Sequence, residues 1–300
     1  MENHPLMKFR LTQILFLTLG LCAAGITQAA TTYKPYVLAT VSAAEVENKL
    51  TEAKFEIVGQ YEPYTGAKVI VVTNDKLKEA ATKSTFGGYG AVQRVAVTDN
   101  KDGKKVVSYT NPTYWANAYQ MNDDLIDVGV KLGEALGNAG EFGSKKGLTK
   151  KKLRKYHYTV FMPYFTDPVL LATHANHEKA VSAVEAGLKG DKGAQNETKF
   201  VYRVDIAQTN ETLFGMQVLG DTDGADAKLM SILKTYTEKA GDPEHTAYMP
   251  YEILVSGKKV YMLHGKFRIA ISFPNLHMWQ FMKIRSAPDG IEKAAKAAAK

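Results

Sequence analysis

Apolar and polar positions alternate along short runs through much of residues 35–263, and the runs arrive in pairs joined by turn residues. A period of two predicts half-buried strands. In the first half the predicted strands cover 35–40, 55–61, 67–73, 91–98 and 104–109; in the second they cover 168–173, 200–207, 212–219, 251–255 and 258–263. Asp99-Asn100-Lys101-Asp102-Gly103, Gln208-Thr209-Asn210-Glu211 and Ser256-Gly257 supply hairpin turns. Helices are predicted over 43–53, 75–84, 179–188 and 225–239. The first opens with Ser42-Ala43-Ala44-Glu45, whose hydroxyl and carboxylate fit a capping box. One further strand is predicted over 267–272.

The order β-α-β-β-α-β-β therefore occurs twice, and local sequence repeats with it. Pro35-Tyr36-Val37-Leu38-Ala39-Thr40 matches Pro168-Val169-Leu170-Leu171-Ala172-Thr173, and Gly103-Lys104-Lys105-Val106 matches Gly257-Lys258-Lys259-Val260. Each half closes on an aromatic segment containing proline. Hairpins with few helices predict an α+β fold of two tandem related units, each a mostly antiparallel sheet with helices packed on one face. The expected divisions are a signal peptide at 1–29, a first unit at 30–140 and a basic linker at 141–155. A divergent second unit follows at 156–286, then an Ala/Lys tail at 287–300 that has almost no apolar face and should fray. The groove between the units is the expected ligand site. Tyr109, Asn111, Tyr114, Trp115 and Trp279 of the closing segments would line it.

Residues 92–115 carry a hairpin turn ending Gly103-Lys104, then Val106, Ser108-Tyr109, Asn111-Pro112 and Tyr114, with a helix expected over 116–121. This stretch resembles domain-of-unknown-function family 302, and the resemblance extends over roughly the first half of the chain. In the second half it is faint, with His264-Gly265 standing where the Asn-Pro segment should begin. The resemblance implies a small two-layer α+β unit that pairs with another unit, and no known reaction. Without any ligand, Asn111 fits a helix cap, Pro112 fits the first helical turn, and the aromatics fit a core.

Lys8 and Arg10, an apolar run over 11–26 and a small-residue end at Ala29-Ala30 have the layout of a cleavable secretory signal. The run is short for a membrane span, so no transmembrane segment is expected after cleavage. Cleavage removes the single cysteine, Cys22, and lowers the formal charge from +7 to +6, since Glu2 leaves with the two cations. Leu21 before Cys22 argues against a lipid anchor. A thiol-free chain excludes thiolate chemistry, covalent haem attachment and Cys-ligated zinc. The expected location is periplasmic or secreted, where a modest basic excess does not point to nucleic acid. The Lys-rich stretch 145–155 reads as a solvated linker or as a weak contact with anionic surfaces.

Histidines gather in the second half. His174 and His177 have an i, i+3 spacing, and His264, His277 and Met278 add donors suited to copper or, held without covalent attachment, to haem iron. Phe86-Gly87-Gly88-Tyr89-Gly90 lacks the Gly-Lys-Ser/Thr of a phosphate loop. No paired acid and base or nucleophile elbow is present. The expected role is a soluble, noncatalytic envelope protein that binds a small ligand or assists an envelope protein; metal or haem binding is the alternative.

Overall fold

The first five strands are β1 (Tyr36–Leu38), β2 (Glu56–Tyr61), β3 (Ala67–Thr73), β4 (Gln93–Asp99) and β5 (Lys105–Thr110), as their alternation predicts. Helices α1 (Val46–Glu52) and α2 (Asp75–Thr82) sit between them, and a 3₁₀ turn at Gly87–Gly90 precedes β4. α3 (Pro112–Ala118), α4 (Ile126–Leu136), the short β6 (Glu141–Phe142) and α5 (Lys150–Leu153) complete this half. The computed structural model describes Met1 and residues 30–300, so the signal reading and Cys22 lie outside the described residues. Asn74 caps α2 by accepting from Leu77 N–H. The expected capping box at α1 is not formed: Ser42 bonds the Glu45 carboxylate itself, and α1 begins only after Glu45.

The second half runs β7 (Val169–Thr173), α6 (His177–Leu188), α7 (Gly190–Gln195), β8 (Thr198–Ile206), β9 (Glu211–Val218) and α8 (Asp226–Ala240). A 3₁₀ turn at Thr246–Tyr248 precedes β10 (Tyr251–Ser256) and β11 (Lys259–Met262). Then come α9 (Gly265–Ser272), α10 (Met278–Lys283) and α11 (Ala287–Ala298). The strand expected over 267–272 is thus a helix. Every residue of the run is buried, Arg268 and Ser272 included, so no period of exposure separates strand from helix. The tail does not fray either. Ile291, Ala294, Ala295 and Ala298 of α11 are buried against α6 and α9. A Cβ at Gly187 of α6 would lie 2.0 Å from the Ala298 carbonyl oxygen. Bare backbone there lets an alanine stripe pack where a bulkier pair could not.

The segment 141–155 is folded onto the first half rather than hanging free. β6 pairs with β1, Leu153 is buried, and Arg154 donates to the carbonyls of Gln120 and Met121.

Both sheets are antiparallel throughout, and with the interspersed helices they make the fold α+β. The first has the order β2-β3-β4-β5-β1-β6 and the second, read from its other edge, β8-β9-β10-β11-β7. Each half therefore arranges its first five strands in one order: second, third, fourth, fifth, first. The register of β2 slips between Ile57 and Gly59, and that of β8 between Phe200 and Tyr202. The pairings Gly59–Val71–Arg94 and Tyr202–Gly215–Glu252 give these residues corresponding places in the two sheets. They also meet. A Cβ at Gly59 would sit 2.7 Å from Tyr202 Cβ, and Arg94 Nη2 lies 3.3 Å from Glu252 Oε1. The 3₁₀ turn of each half packs on the strands of the other, with Gly88 N–H donating to Glu211 and Thr98 bonding Thr246. One continuous core results, and residues 31–300 form a compact unit of their own.

Candidate functional site

The seam between the sheets, the expected groove, is filled. Tyr109, Asn111, Tyr114 and Trp115 are all buried. Tyr114 donates to the Ile271 carbonyl, Trp115 Nε1 to the Pro35 carbonyl, and Tyr109 to the Gly137 carbonyl. Asn111 stands at the N-cap of α3, but its amide donates to the Lys34 carbonyl and caps nothing. These four side chains serve the core. The Arg94 and Arg268 guanidiniums lie 5.6 and 5.0 Å from the Trp115 ring centre, and Glu252 sits between the two cations with Tyr202 donating to it. Arg94 Nε and Nη1 and the hydroxyls of Tyr89, Tyr119, Tyr248 and Tyr251 find no partner among the described residues.

The histidines are dispersed among local tasks. His174 Nε2 lies 2.9 Å from the Ala299 carbonyl, and His177 reaches the Gly257 carbonyl at 3.0 Å. His264 caps α9, and His277 forms a capping box with Gln280 at α10. His174 precedes α6 instead of sharing a face with His177, because the helix begins at His177. Met278 is exposed. Among the described residues no group of three or more His, Cys, Asp or Glu could hold a metal ion. Each ring of the copper or haem set expected from residue type is engaged with backbone.

Trp279 remains at the surface, edge-on to Tyr236, beside a cleft of about 140 Å³. Tyr236, Phe273, Leu276 and His277 give the cleft apolar and aromatic walls, Lys145 and Lys239 give its rim, and His245 lies in its lining. The chain reaches His245 through a helix end. Gly241 takes a left-handed conformation, its N–H bonds the Glu238 carbonyl, and Asp242 N–H bonds the Thr237 carbonyl. This Schellman closure of α8 turns the backbone sharply into 242–245. A second cleft of about 290 Å³, whose lining includes Asp99, Asp102, Glu238 and Glu244, lies across the same segment and shares Asp242.

His245 is buried, its ring stacked at 4.7 Å on Phe273 and at 4.7 Å from Tyr36. Its Nδ1 lies 3.1 Å from the Ser272 carbonyl, which can only accept, so Nδ1 carries the proton. Nε2 is then a lone-pair acceptor, and it has no partner among the described residues; Asp242 is 4.0 Å away. Burial pushes the imidazole down to about 3 and raises the Asp242 carboxyl. Nε2 is shut off from solvent, so a donor entering the cleft reaches it only if the lining gives way. The site is a poor proton shuttle near neutrality, since the imidazole holds no second proton there. Sequence reasoning counted His245 among the second-half histidines but put only Trp279 and His277 of this region in a site, since the ring partners of His245 lie as far off as Tyr36. No family model, curated protein or solved structure matches this chain.

Proposed function

We propose that this is an exported, noncatalytic binding protein whose ligand enters the cleft at His245. The reading rests on one observation: His245, in the lining of an aromatic-walled cleft of about 140 Å³, has a buried Nε2 lone pair with no partner among the described residues. That volume is close to the roughly 150 Å³ cavity that admits benzene in another protein. The ligand is accordingly a molecule, or the end of one, with a single ring and an O–H or N–H donor. The ring lies among Tyr236, Phe273 and Leu276, and the lining yields to let the donor meet Nε2. An imidazole held neutral favours recognition over acid–base chemistry. Phenol is the simplest probe and toluene its control without a donor. In protein labelled with ¹⁵N at histidine, phenol should move the His245 Nε2 resonance and toluene should not. His245→Phe keeps a ring between Tyr36 and Phe273 but removes the acceptor, and should weaken phenol binding by about tenfold. Equal binding of phenol and toluene, or no response in the cleft, would exclude the site.

A further inference from the structure

Two segments, 143–166 and 275–286, together hold nine Lys and Arg residues and no Asp or Glu. Among the described residues only one of the nine, Lys150, pairs with a carboxylate, that of Asp124. The same segments hold six of the ten exposed large apolar side chains of residues 30–300. Phe161 is fully exposed at 102 % and sits at a left-handed φ of 67°, with exposed Val160 beside it. On α10, Met278, Trp279 and Met282 are each about half exposed. The segments are fastened side by side: Tyr158 donates to the Leu276 carbonyl, its ring stacks on Phe281, and Lys145 N–H bonds Asn275.

We infer that this surface is a docking face for an anionic lipid bilayer. Cations without counter-charges suit the headgroups, and exposed Phe, Trp and Met beside them suit the boundary just below. Trp in particular favours that boundary, where its ring is half in apolar surroundings and its N–H can stay wet. Attachment is peripheral, because among the described residues no helix is long and apolar enough to cross a membrane. The face adjoins the His245 cleft through Lys145, Leu276 and His277, but its binding does not depend on what the cleft holds.

Vesicles of phosphatidylcholine with and without phosphatidylglycerol test this, using residues 31–300, which carry their own closed core. The chain has two tryptophans; Trp115 is buried, so an emission shift on vesicle addition reports Trp279. Co-sedimentation with the anionic vesicles, a blue shift and weakening by salt are expected. Phe161→Ala with Trp279→Ala should weaken attachment by about tenfold or more, as should Lys151→Glu with Lys152→Glu, with thermal midpoints unchanged because all four side chains are exposed. No association at low salt would overturn the proposal. So would association that the aromatic pair leaves unaltered, or equal binding to duplex DNA, since either would reduce the face to a charge effect.

Discussion

Asp226 and His245 are buried groups whose titrations oppose each other. Asp226 accepts from Val218 N–H and from the Tyr61 hydroxyl, and burial pushes its carboxyl up to about 7. Unfolding lets it ionise near pH 4, so the stability it contributes is complete below about pH 4 and is lost as pH rises through about 7. His245 has the reverse sign. Its pKa falls to about 3 in the fold, so its contribution is complete above about pH 6.5 and is lost as pH falls toward 3. Between about pH 4 and 6.5 the two slopes offset each other. Asp226→Asn should therefore leave stability rising with pH across that window, and His245→Gln should leave it falling. Asp242, also raised by burial, acts in the direction of Asp226 and is common to all three proteins. Urea midpoints at several pH values check this; parallel curves for wild type and both variants would contradict the assignment. Neither group was conspicuous in the sequence. Asp226 is one of 31 acidic residues and His245 one of several second-half histidines, and only partners distant in the chain make them unusual. The Arg94–Glu252 pair was equally illegible, since an alternating strand pattern leads one to expect apolar residues at inward places. Glu252→Gln leaves two buried cations without their counter-charge and should cost about 3–5 kcal/mol, read from urea unfolding.

At the scale of elements, strands and hairpins were legible and helices less so. Valine-rich alternation and strong turn residues mark β3, β4, β5 and β10 locally, so little outside each segment was needed. α9 and α11 were different. The apolar run of α9 suits either structure, and what selects a helix is the space beneath it, together with the His264 cap. α11 looks too poor in apolar bulk to pack, yet its backbone meets α6 at Gly187, which lets small side chains fill the interface. Gly187→Ala is a direct test. In an exposed helix that exchange gains up to about 1 kcal/mol. Here the added methyl would collide with the Ala298 carbonyl, and overpacking of this kind costs about 1–3 kcal/mol. A lower thermal midpoint is expected. A raised midpoint would mean that α11 is not docked on α6 in solution, as the fraying expected from composition would have it.

Over the whole molecule, the two halves share one order of strands, slip at matching places in β2 and β8 and seat 3₁₀ turns on one another, yet the seam between them is asymmetric. Arg94 and Glu252 occupy corresponding places, as do Gly59 and Tyr202, and each meets its counterpart across the seam. A pair of first halves would set Arg94 against Arg94, and a pair of second halves Glu252 against Glu252, both in full burial. Like charges there cost far more than at a surface, and two Tyr202 side chains would compete for the space that Gly59 leaves open. The halves should thus recognise one another and not themselves. Cutting between the exposed Val160 and Phe161 leaves both sheets whole. Chains 31–160 and 161–300, co-expressed, are expected to form a one-to-one complex in native mass spectrometry. Each alone should be monomeric and poorly folded, because the core is continuous across the seam. Glu252→Arg in the second chain should abolish the complex. A stable homodimer of either half would show that the buried pair does not decide which surfaces meet.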